Sequence, residues 1–161
     1  MILVTVGTQA PFDRLVQAVD EWAAEEERTD VFAQIADSVL VPKHIAWEKF
    51  LTPEDLQQRL EAATLVISHA GIGTILSALR LRKPILILPR VAALGEQRND
   101  HQLATARRFS ESGIITAAYD NEDLKRQLSE LDRITTGKEV SEFASKELIS
   151  GLRGFFARGT S

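Results

Sequence analysis

The chain of 161 residues contains no cysteine, which excludes disulfide scaffolds, thiolate metal sites and cysteine nucleophiles. Aromatic residues amount to only 6%, and the 19 Lys and Arg are outnumbered by 23 Asp and Glu, for a formal charge of −4. The field of such a chain repels nucleic acid, and no basic patch interleaved with aromatics reverses it. There is no run of about 18 apolar residues, so the pattern contains no transmembrane helix. The opening residues Met1 to Gly7 lack a basic leader and have too short an apolar run for a signal peptide; they read as a strand, with the cytoplasm as the expected compartment. The histidines at 44, 69 and 101 lack metal-ligand spacing, and no His-Glu-x-x-His or paired-carboxylate motif occurs. No metal and no other cofactor is expected.

What is present is enough apolar residue, 44%, to core one domain of this length. Strand signals recur at residues 2–6, 31–36, 45–50, 65–68, 85–88 and 114–117, and several of them are continuous apolar runs that predict strands covered on both faces. Between them, helical periodicity is expected over residues 12–26, 53–62, 75–81, 100–111 and 122–131. Thr52 followed by Pro53, Glu54 and Asp55 is a strong helix start, with a cap, a proline at the first position and acids in the first turn. Alternating strands and helices predict an α/β fold, a Rossmann-like doubly wound parallel sheet, over residues 1–137. From Lys138 to Ser161, Val140, Phe143, Leu148, Leu152 and Phe155 recur at helical intervals and predict a C-terminal amphipathic helix, packed on its own sheet or docked on a partner or membrane surface.

The densest signal for chemistry is Ser68-His69-Ala70-Gly71-Ile72-Gly73-Thr74, where a buried strand passes through two glycines into a helix expected to begin near Gly73 and Thr74. Such a turn aims unpaired helix N–H groups and the positive end of the helix dipole at one spot, while glycine lets an anion approach the backbone. It is neither a P-loop nor a full dinucleotide fingerprint, and packing alone is the plainer use of its glycines. In an open parallel sheet the ligand crevice lies where strand order reverses, here between the first and fourth strands. That would bring Gly7-Thr8-Gln9, otherwise an ordinary polar turn, opposite the glycine turn.

The fifth strand opens into a long polar loop, from Arg90 through Glu96, Arg98, Asn99, Asp100, His101 and Gln102. These side chains suit sugar hydroxyls, and Arg90 or Arg98 could face a phosphate; Asn99 or Asp100 could instead cap the following helix. Ser68 and His69 are neighbours on a strand and are expected to point to opposite faces, which argues against a nucleophile and base pair.

Three ordered segments, Gly7-Thr8-Gln9-x-Pro11-Phe12-Asp13-Arg14-Leu15, Ser68 to Leu79 with Lys83-Pro84, and Gly95-Glu96-x-Arg98-Asn99-Asp100-His101-Gln102, resemble the C-terminal, nucleotide-sugar-binding domain of glycosyltransferase family 28. They are most similar to the donor-binding small subunits of its split members, in the dolichol pathway and especially in bacterial exopolysaccharide synthesis. The resemblance implies one half of a GT-B fold and inverting transfer of a hexose or hexuronic acid from a UDP-sugar to a lipid-diphosphate-linked acceptor. It implies a membrane-attached, acceptor-binding partner subunit that supplies the general base and recruits the chain to the inner face of the plasma membrane. By the same resemblance Gly71, Gly73 and Thr74 cradle the diphosphate, with no metal, and His101 and Gln102 read sugar hydroxyls; His69 and Ala70 belong to the same substrate-binding loop. Related single-chain enzymes place a ribose-binding glutamate where this chain has Ser77, so water, Glu96 or a weaker nucleotide site must take its place. A non-catalytic nucleotide-sugar-binding module, and an epimerase-like protein whose second wall comes from a homodimer, are the alternatives.

Overall fold

A computed structural model describes residues 1–137. Six strands, β1 (Ile2–Thr5), β2 (Val31–Gln34), β3 (Ala46–Glu48), β4 (Leu65–Ser68), β5 (Ile85–Ile87) and β6 (Thr116–Ala117), form one all-parallel sheet in the order β3-β2-β1-β4-β5-β6. Helices α1 (Asp13–Glu25), α2 (Pro53–Ala62), α3 (Ile72–Arg80), α4 (His101–Glu111) and α5 (Asn121–Ser129) follow every strand but β2, from which the chain passes to β3 through a loop. The amphipathic helix expected from Lys138 onward lies outside the described residues.

The period-two geometry of a strand explains the layers. Ile2, Val4, Ala33, Ile67 and Leu86 project into one core with α1 and α5, whereas Leu3, Phe32, Val66 and Ile87 project into the other with α2, α3 and α4. Both faces are therefore apolar, as a parallel sheet covered on both sides demands. At the carboxyl ends the pattern changes to buried polar residues: Thr5, Gln34 and Ser68 are each at most 1% exposed, and all take the parity of the α2–α3–α4 face. In register, Thr5 stands between Gln34 and Ser68.

Helix α2 starts as its sequence signals, with Thr52 Oγ1 accepting from Asp55 N at 3.1 Å. The third strand, Ala46–Glu48, is shorter than its signal at residues 45–50, and the residues that precede it form a loop gathered by one carboxylate. Asp20 of α1, 8% exposed, accepts from the N–H groups of Lys43, His44 and Ile45. An anion that satisfies several backbone donors substitutes for the ladder bonds this segment lacks.

Candidate functional site

Because β2 lies on one side of β1 and β4 on the other, the chain reverses its winding direction at the β1–β4 boundary, and the loops leaving these strands diverge. A cleft of about 660 Å³ opens there. Its walls come from the β1–α1 loop (Gly7 to Ala10), the start of α3 (Gly71 to Thr74, with Ser77 a turn further on) and, on the β5–α4 side, Arg90, Gln97 and Gln102.

Helix α3 begins at Ile72, one residue earlier than the pattern predicts, with Gly71 as N-cap and no side-chain cap bond. Ile75 N is the first amide to turn back, to Gly71 O, so the N–H groups of Ile72, Gly73 and Thr74 have no intrahelical acceptor. No acidic side chain occupies the first turn. A Cβ built on Gly73 would meet nothing within 4 Å, so this residue opens onto free space. The combination is an uncapped dipole end facing a cleft, suited to an anion.

His69 occupies the junction of the two loops. A Cβ on Gly71 would lie 2.2 Å from its Nε2, and one on Gly7, whose φ is +77°, would lie 2.8 Å from its Cε1. Ser68 Oγ lies 3.2 Å from His69 Nδ1, contrary to the expectation that these neighbours face apart. Strand geometry ends at Ser68, so the alternation that would separate them no longer holds at His69. Ser68 is fully buried beneath the cleft, where the contact orients the ring. Enclosure lowers the imidazole pKa to about 4; the positive charge of Arg90 adds to this and the Thr5 backbone opposes it. The ring is thus neutral at neutral pH.

Arg90 is 2% exposed, and its guanidinium donates to the carbonyl oxygens of Val6, Ala10 and Pro11 while stacking 4.6 Å from the Phe12 ring centroid. Its donors therefore shape the β1–α1 loop instead of standing free for a phosphate, and its charge still reaches the cleft floor. Glu96 likewise turns away: its carboxylate holds Arg14 at 2.6 and 2.8 Å and accepts from Val91 N. It does not line the cleft and is not placed to replace the glutamate absent at Ser77, whose own hydroxyl donates to Gly73 O. Gln102 Oε1 accepts from both Ala70 N and Arg90 N at 3.2 Å, clipping the ends of β4 and β5 together.

Of the other residues singled out in the sequence, Gly7, Thr8, Gln9, Gly71, Gly73 and Thr74 line the cleft. Ala70 is buried behind it. Asn99 Oδ1 accepts from His101 N at the start of α4, Asp100 Oδ1 accepts from Ala92 N, and His101 and Arg98 are exposed outside the lining. The sequence pattern alone did not single out Thr5, Gln34, Leu56, Leu60 and Gln97, which do line it. The signal available for two of them was a polar residue ending an otherwise apolar strand, Thr5 after Ile2-Leu3-Val4 and Gln34 after Val31-Phe32-Ala33. Among the described residues no cluster of three His, Asp or Glu side chains could hold a metal ion, and no helix is long and apolar enough to cross a membrane.

These features define a Rossmann-like α/β domain with an anion-ready crevice at its topological switch point, the architecture of one half of a GT-B glycosyltransferase. A family model described as glycosyltransferase family 28 C-terminal domain matches residues 1–148, and the chain belongs to that family. It is 29% identical over 124 residues to the human UDP-N-acetylglucosamine transferase subunit ALG13, covering 71% of this chain and 10% of that protein. It is 45% identical over 56 residues to the subunit of the same name from Eremothecium gossypii, covering 35% of this chain and 26% of the relative. The chain thus spans a minor part of either relative's length. Among solved structures, that of ALG13 by NMR has a TM-score of 0.62 at 18% identity, covering 90% of this chain and 91% of the other. MurG of Acinetobacter baumannii has a TM-score of 0.59 at 18% identity, covering 81% of this chain and 41% of that one.

Proposed function

We propose that the chain is the donor-binding subunit of a two-component inverting glycosyltransferase, taking a hexose or hexuronic acid from a UDP-sugar. The observation that carries the reading is the uncapped start of α3 opening onto the cleft at the β1–β4 switch point, within a family 28 domain. In this reading the N–H groups of Ile72, Gly73 and Thr74 hold the diphosphate and stabilise the charge that develops as UDP departs, with no metal required. Neutral His69 fixes the two glycine-bearing loops around it, and Arg90 contributes positive potential from below.

The acceptor, a lipid-diphosphate-linked sugar in exopolysaccharide synthesis, belongs to the membrane-attached partner subunit, which also supplies the general base. Support for a partner comes from the relatives, which are themselves named as subunits of a UDP-N-acetylglucosamine transferase. Calorimetric titration of the chain with UDP, then UDP-glucose, UDP-glucuronate and UDP-N-acetylglucosamine, tests the donor half. Saturable binding of UDP with one preferred sugar is expected. Failure of UDP to bind both the chain and its complex with the partner would overturn the reading.

A further inference from the structure

One buried polar group in the cleft wall lacks a hydrogen-bond partner among the described residues. Gln34, 1% exposed at the end of β2, accepts a 2.7 Å hydrogen bond from Thr5 Oγ1 through its Oε1, while its Nε2 finds no partner among the described residues. The amide orientation follows from the network. Thr5 Oγ1 already accepts from Gly7 N at 3.2 Å, and its one hydrogen needs an acceptor, which places the carbonyl oxygen of Gln34 toward it and the NH2 away. An unpaired buried donor costs stability, and its retention in a cleft wall points to a ligand acceptor that satisfies it.

The position of Gln34 says which part of the ligand this is. Gln34, Thr5 and Ser68 form one row across β2, β1 and β4, so Gln34 stands two strand spacings, roughly 10 Å, from the strand that leads into α3. A group held by the α3 turn cannot also reach Gln34. Leu56 and Leu60 of α2, which share a core with Phe32 of β2, line the cleft on this side, an apolar flank unlike the polar β5–α4 side that carries Gln97 and Gln102. A neutral N–H donor next to leucines suits a flat, partly apolar group bearing a carbonyl oxygen, whereas a hexose needs several polar partners.

We infer that Gln34 is a specificity-determining residue that donates its free N–H to a carbonyl oxygen of the nucleotide base. The inference rests on the donor-binding reading above and adds the residue that orients the nucleoside end. Its test is titration of the full chain, wild type and variants, with UDP, which carries the base and no hexose. Gln34→Met removes the donor without adding charge. Gln34→Glu keeps the side-chain shape and the acceptor for Thr5, replaces the NH2 by an oxygen and adds a negative charge when ionised, so inorganic diphosphate, which carries charge and no base, serves as its control ligand.

Both variants are expected to bind UDP about tenfold more weakly or worse, the loss that follows from leaving a ligand acceptor unpaired. If Gln34 only braces Thr5, Gln34→Glu loses no more affinity for UDP than for inorganic diphosphate, and the inference is overturned. Unchanged UDP affinity in a folded Gln34→Met variant overturns it as well, as does a loss seen with UDP-glucose and not with UDP, which would place the contact on the sugar. Should Gln34→Met fail to fold, Gln34→Glu decides the matter through that comparison, since a base contact predicts a loss for UDP beyond the loss for diphosphate. Absence of UDP binding by the wild-type chain and its complex is a different result, which removes the donor-binding reading itself.

Discussion

The imidazole of His69 lies against the backbone of Gly71 so closely that a Cβ on that glycine would come within 2.2 Å of Nε2. With Gly7 on the other side, the ring occupies a slot that exists only because two loops carry hydrogen where other residues carry carbon. Gly71→Ala should therefore force the ring or the turn to move and lower stability by about 1–3 kcal/mol. Urea unfolding checks this, and the double variant Gly71→Ala, His69→Ala should recover part of the loss because the clash is gone. Simple addition of the two single losses would show that ring and glycine are not coupled.

Titration of the same ring gives a second expectation. Its pKa lies near 4 in the folded chain, mainly through enclosure and secondarily through the charge of Arg90, against about 6.5 when unfolded. The unfolded chain takes up the proton first, so this contribution to stability is complete above pH 6.5 and is lost as pH falls toward 4. At 1.36 kcal/mol per unit the loss is on the order of 3 kcal/mol. Unfolding free energies measured from pH 7 to pH 4.5 should fall more steeply for the wild type than for His69→Gln. Parallel slopes would mean that the ring is not held neutral.

Gly73 offers the cleanest probe of the anion site, since the space above it is open and its backbone is ordinary helix. Gly73→Asp should fold as the wild type does and place a carboxylate where the diphosphate is proposed to sit. A loss of about 2–4 kcal/mol in UDP affinity is expected from charge opposition at a preorganised helix start. Undiminished binding by calorimetry would move the diphosphate elsewhere.

Arg90→Lys tests the loop. Lysine keeps the charge but has no planar fork to reach the carbonyls of Val6, Ala10 and Pro11 together or to stack on Phe12. A stability loss of about 2–3 kcal/mol is expected from carbonyls left without their donor. Thermal melting reads it, and an unaltered melting temperature would show that the loop holds its shape without the guanidinium.

The sheet, its crevice and the helix that faces it were legible in the chain because each rests on local information. Apolar runs such as Leu65-Val66-Ile67 announce strands covered on both sides, and Thr52-Pro53 announces a helix. The roles of Arg90 and Glu96 were not legible, since they depend on which distant loop each one meets; Glu96 finds its partner Arg14 82 residues away. The Ser68–His69 contact was not legible for a subtler reason: β4 ends at Ser68, so alternation does not extend to His69. Gln34 was readable as a polar residue at a strand end, but its significance needed the burial that only the packed sheet supplies.

Asp20 sits on α1, across the sheet from the cleft, yet its carboxylate decides where the chain re-enters the sheet after residue 45. From there the path runs through β3 directly into α2, whose Leu56 and Leu60 line the crevice. A natural variant at Asp20 would touch nothing that a ligand touches. By freeing the backbone at residues 43–45 it would cost stability and loosen the path into α2, so a genetic screen for weak binders is expected to recover it among residues of the proposed site.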